Sequence, residues 1–190
     1  MNKRVLGLLF AGLLVLTGNL WGNDLDPRVT PRTRGIRVAK WHFGSNYDYS
    51  NALVLRVVDG DTLVLDNHEK VRLIGIDTPE IHDSDKLNRD VERSGQDAAS
   101  IKHLGKLSYD FTRKLVEGKR VRLEFDAERF DRYKRILAYV YLEDGTFVNA
   151  EIVKQGYASL LTFPPNVRYA DLFLGLYKQA RDDRRGLWGK

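Results

Sequence analysis

Two stretches near the middle of the chain hold residue types whose chemistry can be named. They are Val58-Asp59-Gly60-Asp61-Thr62 and Val71-Arg72-Leu73-Ile74-Gly75-Ile76-Asp77-Thr78-Pro79-Glu80. A third, Asp131-Arg132-Tyr133-Lys134-Arg135, adds two arginines beside a tyrosine. Carboxylates are hard oxygen ligands suited to calcium or magnesium. Arginine presents a planar fork of donors that matches phosphate oxygens. Carboxylates for a cation beside arginines for a phosphate are what hydrolysis of a phosphodiester requires.

The spacings make specific demands. Asp61 begins one strand-like run and Asp77 ends the next, so a hairpin between them brings the carboxylates together. Arg72 and Asp77 are five apart and would face opposite sides of a straight strand, so a bend is required, and Gly75 is the place for it. Tyr133 and Arg135 are two apart and would share a face if they lie on a strand. Pro79 keeps Thr78 extended and holds Glu80 in position, where a carboxylate near the cation can take a proton from water. Taken singly, each has an ordinary reading. Asp59-Gly60-Asp61 is a turn signal, Asp77-Thr78-Pro79-Glu80 can open a helix, Arg72 can be solvated, and Tyr133 can be structural. The combination carries the reading. Cysteine is absent and His42, His68, His82 and His103 are scattered, which argues against zinc. His82 is near Glu80 and stays a candidate.

These residues need a scaffold. Leu53–Val58, Thr62–Leu65 and Lys70–Ile76 read as three strands with turns between them. Glu80–Arg93 reads as a charged loop beginning at the proposed site. A helix follows, with Ser94 as N-cap and Asp97 three residues on, carrying Ala98, Ile101, Leu104, Phe111 and Leu115 and stopping at Gly118. Arg120–Phe125 and Ile136–Leu142 read as strands, Val148–Gln155 as a short helix, and the stripe from Tyr169 to Ala180 as a last helix capped by Asn166. The order predicts a mainly β fold with helices: a five-stranded Greek-key barrel of the oligonucleotide-binding (OB) type with three helices.

With 190 residues, the chain accommodates one domain with a substantial core. Lys3 and Arg4 followed by the apolar run Val5–Leu16 read as a signal peptide, or as an N-terminal anchor if it is not cleaved, over residues 1–22. Residues 23–50 read as a basic polar arm, with an added strand over Ile36–Phe43, and 51–190 as the catalytic domain. Export to the periplasm or medium is the expectation, with membrane attachment only through an uncleaved segment. A net charge of +5 suits a polyanion, and no feature points beyond a monomer.

The three motifs, in this order, resemble the staphylococcal nuclease (thermonuclease) family. The matching pieces are Val57–Thr62, Arg72–Glu80 and Asp131–Val140, joined by Asn149–Ala158. The resemblance implies a calcium-dependent nuclease that cleaves DNA and RNA and leaves 3′-phosphates. It implies Asp61 and Asp77 as carboxylate ligands of Ca2+, Thr78 as a ligand through its carbonyl, and Asp59 standing behind them. Glu80 becomes the general base, and Arg72 and Arg135 the groups that hold the scissile phosphate. Tyr133 and Arg132 contact a terminal phosphate. The family's founding member has a Tyr-x-Tyr pair near the base. Here the stretch is Leu160-Leu161-Thr162-Phe163-Pro164-Pro165-Asn166, with Phe163 as the stacking candidate. The rival expectation is a non-catalytic nucleic-acid- or protein-binding module on the same barrel.

Overall fold

The computed structural model describes residues 47–189. The readings of residues 1–22, of the arm up to residue 46, and of the strand over Ile36–Phe43 lie outside the described residues.

Three strands, β1 (Ala52–Asp59), β2 (Thr62–Leu65) and β3 (Lys70–Leu73), pair as an antiparallel meander. Two more, β5 (Arg120–Glu124) and β6 (Ile136–Leu142), form an antiparallel pair. β6 runs parallel to β3, and β5 closes on β1, giving a closed barrel of order β1-β2-β3-β6-β5. This is the expected OB-type barrel. Its interior is filled by aliphatic side chains at alternate positions, among them Val54, Leu63, Leu65, Val71, Leu73, Ile136 and Val140. Burying each contributes about 1.5–3 kcal/mol relative to exposure, before the cost of ordering the chain.

The third predicted strand does not run unbroken to Ile76. It stops at Leu73 and resumes as β4 (Gly75–Asp77), which pairs with β7 (Ser159–Leu161) in a separate ribbon. Between them Ile74 donates its N–H to Ala138 O, and Asn149, fully buried, donates its side-chain N–H to Ile74 O at 2.9 Å. Gly75 then turns the chain with φ +84°, and a Cβ there would stand 2.5 Å from the Phe173 ring. A glycine is required on both counts.

The predicted charged loop contains a helix, α1 (Asp85–Ser94), capped by Ser84, whose Oγ accepts the Leu87 N–H. Ser94 therefore ends one helix and does not start the next. The N-cap of α2 (Ala98–Val116) is Asp97, which accepts the Ser100 N–H at 2.9 Å. With α3 (Val148–Lys154) and α4 (Ala170–Asp182) there are four helices where three were expected, followed by a 3-10 turn at Gly186–Gly189. Asn166 does not cap α4. Its amide instead exchanges hydrogen bonds with the backbone of Glu128. α2 packs on β1, and α3 lies between β6 and α4.

Candidate active site

The β2–β3 hairpin sets Thr62 opposite Arg72, so Asp61 lies beside the end of β3, and its carbonyl accepts the Leu73 N–H at 2.9 Å. The bend at Gly75 then carries Asp77 back to the same place. One nitrogen of Arg72, Nη2, stands 3.1 Å from Asp61 Oδ2 and 3.1 Å from Asp77 Oδ1. Nη1 is fixed by the Leu73 carbonyl at 2.8 Å. Asp61 Oδ2 also accepts the Thr78 N–H at 2.9 Å. The hairpin and the bend that the sequence demanded are both present.

Electrostatics differ among the three aspartates. Burial pushes Asp59 up to about 7, and the adjacent Asp61 charge adds to the rise. Burial works against Asp61 as well, but Arg72 and Lys86 outweigh it and hold its carboxyl below the usual range. Asp77 is raised, because burial and Asp61 together exceed the pull of Lys86 and Arg72. Asp59 Oδ1 accepts the Asp61 N–H at 3.1 Å, so it braces the turn behind Asp61.

Lys86 was not singled out in the sequence. α1 delivers its Nζ to 2.7 Å from the Thr78 carbonyl and 3.0 Å from Asp77 Oδ1. Burial disfavours this ammonium, but Asp61 and Asp77 more than compensate and raise its pKa. Among the described residues no group of three or more His, Asp or Glu side chains is gathered for a metal. A cation here would rest on Asp61, Asp77 and the Thr78 carbonyl. These are hard oxygen donors of the kind calcium takes, and an ammonium already sits on two of them, so the set suits a hard cation.

Glu80 is tied down by its own loop. Oε1 accepts the N–H groups of Ile81 and His82 at 2.9 and 3.1 Å, and Oε2 accepts the Ser84 hydroxyl at 3.3 Å. α2 presses on its backbone at Gly105, where a Cβ would lie 2.6 Å from the Glu80 carbonyl oxygen. The side chain of His82 is exposed and does not line the pocket.

Arg135 and Tyr133 do not share a strand face, because β6 begins only at Ile136 and both residues sit in the turn before it. Asp131 builds that turn. Its Oδ1 accepts the N–H groups of Tyr133 and Arg135, each at 2.9 Å, and its Oδ2 accepts Arg135 Nε at 2.7 Å. Arg132 donates to the Tyr133 hydroxyl at 2.7 Å, and both guanidinium groups lie against the Tyr133 ring.

One pocket of about 780 Å³ gathers these residues. Asp59, Asp61, Arg72, Asp77, Glu80, Arg132, Tyr133, Arg135 and Phe163 all line it, with Lys86 beside them. Thr78 is buried beneath, at 2% exposure, with its carbonyl turned to Lys86. Phe163 is 68% exposed and is joined at the pocket by Phe130, 54% exposed. Phe130 escaped the sequence reading, although a phenylalanine set between charged Arg129 and Asp131 was a usable signal.

A closed OB-type barrel with carboxylates and arginines around one pocket is suited to chemistry on phosphate esters. Comparison with known proteins narrows it. Residues 70–190 match the family described as staphylococcal nuclease homologue. A thermonuclease of Staphylococcus intermedius is 40% identical over 139 residues, covering 72% of this chain and 74% of the relative. A thermonuclease of Staphylococcus hyicus is 35% identical over 147 residues, covering 76% and 79%. Endonuclease YncB of Bacillus subtilis (strain 168) is 35% identical over 145 residues, covering 74% and 62%. The chain belongs to the staphylococcal nuclease family. It is a nuclease, a hydrolase of phosphodiester bonds.

Proposed function

We propose that this nuclease is calcium-dependent, acts on both DNA and RNA, and leaves 3′-phosphate ends. The observation that carries the reading is the convergence of Asp61, Asp77, Glu80, Arg72 and Arg135 on one pocket. Asp61, Asp77 and the Thr78 carbonyl would hold the calcium ion, which would neutralise charge on the scissile phosphate. Arg72 and Arg135 grip the non-bridging phosphate oxygens and favour the more highly charged transition state. Glu80, its rotamer fixed by the Ile81 and His82 N–H groups, takes the proton of the attacking water. Water attacks phosphorus in line with the 5′-oxygen, which leaves with the bonding pair and takes up a proton from solvent as the 5′-hydroxyl, and the phosphate stays on the 3′ side. Tyr133 and Arg132 contact a terminal phosphate, and Phe163 stacks on a base.

The protein acts as a monomer outside the cytoplasm. Lys3, Arg4 and the run Val5–Leu16 support export. Among the described residues, no helix is long and apolar enough to cross a membrane.

Digestion of single-stranded DNA and of RNA with calcium, with magnesium and with chelator tests the proposal. Calcium-dependent cutting of both, abolished by chelator, is expected. No cutting by folded protein under any metal would leave a binding module on the same barrel.

A further inference from the structure

We infer that Lys86 is a built-in competitor for the catalytic cation, and that it sets the calcium affinity of this nuclease. The inference rests on the calcium reading of the Asp61–Asp77 site. Lys86 Nζ takes the Thr78 carbonyl at 2.7 Å and Asp77 Oδ1 at 3.0 Å, two of the three donors assigned to the ion. Two cations on the same two oxygens repel at short range, so calcium must expel the ammonium to bind.

The element that carries Lys86 is built to give way. α1 has ten residues, and among its described side chains Leu87 alone is buried. The Lys86 side chain is 30% exposed, so solvent can take the ammonium when it leaves. Its departure also reaches Glu80, because Ser84, the N-cap of α1, bonds Glu80 Oε2. Arg72 differs. It shares Asp77 Oδ1 with Lys86 and reaches Asp61 Oδ2 in place of the Thr78 carbonyl, but it is only 11% exposed and is anchored by the Leu73 carbonyl, so the partly exposed Lys86 is the cation with a path to solvent.

Isothermal titration of calcium into the full chain tests this, comparing wild type with Lys86→Met, Lys86→Gln and Asp77→Asn. Both Lys86 variants should bind calcium about tenfold more tightly, the order of one charge-assisted hydrogen bond. Asp77→Asn should bind more weakly. In wild type, calcium should also speed amide exchange across Asp85–Ser94. If wild type binds calcium and the Lys86 variants bind it equally or more weakly, the competitor role is overturned and the calcium reading stands. If no form takes up calcium, the calcium reading fails and this inference falls with it.

Discussion

The carboxylate of Asp131 holds Arg135 twice, through the side-chain Nε at 2.7 Å and through the backbone N–H at 2.9 Å. Arg135 is therefore aimed before any substrate arrives, and its terminal nitrogens keep their fork for a phosphate. Asp131→Asn should lower kcat about tenfold while leaving the barrel folded. Arg135→Ala should lower it about 10²–10³-fold. The double variant should be no worse than Arg135→Ala alone, because both changes act through one guanidinium. A double-mutant cycle on steady-state rates checks this, and additive losses would refute it.

Phe130 and Phe163 are exposed aromatic faces at the pocket, and bases stack on such faces at about 1–3 kcal/mol each. Replacing both by alanine should raise KM for single-stranded substrate by at least tenfold, with kcat nearly kept, since the contact is as strong in the ground state as in the transition state. Initial-rate kinetics on an oligonucleotide decides it.

Gly75→Ala should destabilise the protein by about 2–4 kcal/mol, the sum of a strained positive φ and a methyl forced onto the Phe173 ring. Gly95 shares the positive φ but has open space around it, so Gly95→Ala should cost only about 1 kcal/mol. Urea unfolding compares the two. Gly75→Ala should also lose activity, because the bend places Asp77.

Burial resists ionisation of Asp126, but the Arg168 and Ala127 N–H groups and the Tyr139 hydroxyl overcome it and hold its carboxyl below the usual value. A carboxyl lowered in the folded state means that the unfolded chain binds the proton more readily. Its stabilisation is therefore full above the unfolded value near about pH 4 and is lost as pH falls through the lower folded value. Melting temperature should drop between about pH 5 and pH 2, and drop less in Asp126→Asn. Equal slopes would show that Asp126 does not contribute.

How much of this could be read from the chain depends on how local each constraint is. Asp61 and Asp77 were readable as a pair because a hairpin fixes what lies beside a strand end, and Gly75 was readable as the bend because no other residue between Arg72 and Asp77 turns a strand so easily. α1 was hidden because six of its ten residues are charged and only Leu87 and Val91 are apolar, too few to show a recurring stripe. Lys86 was lost with it, since a lysine in a charged segment has no meaning until a helix aims it. The two-residue spacing of Tyr133 and Arg135 suggested a strand, but Asp131 collects the N–H groups that follow it and makes a turn. β7, only three residues long, left no pattern to detect.

In the proposed reaction this pocket hydrolyses phosphodiesters with Glu80 taking the proton. The direct measurement is kcat of Glu80→Gln on single-stranded DNA with calcium, alongside its calcium affinity and melting temperature. A fall of about 10²–10⁴-fold, with affinity and melting temperature near wild type, is the predicted result. A rate within threefold of wild type would contradict it and move the chemistry away from Glu80.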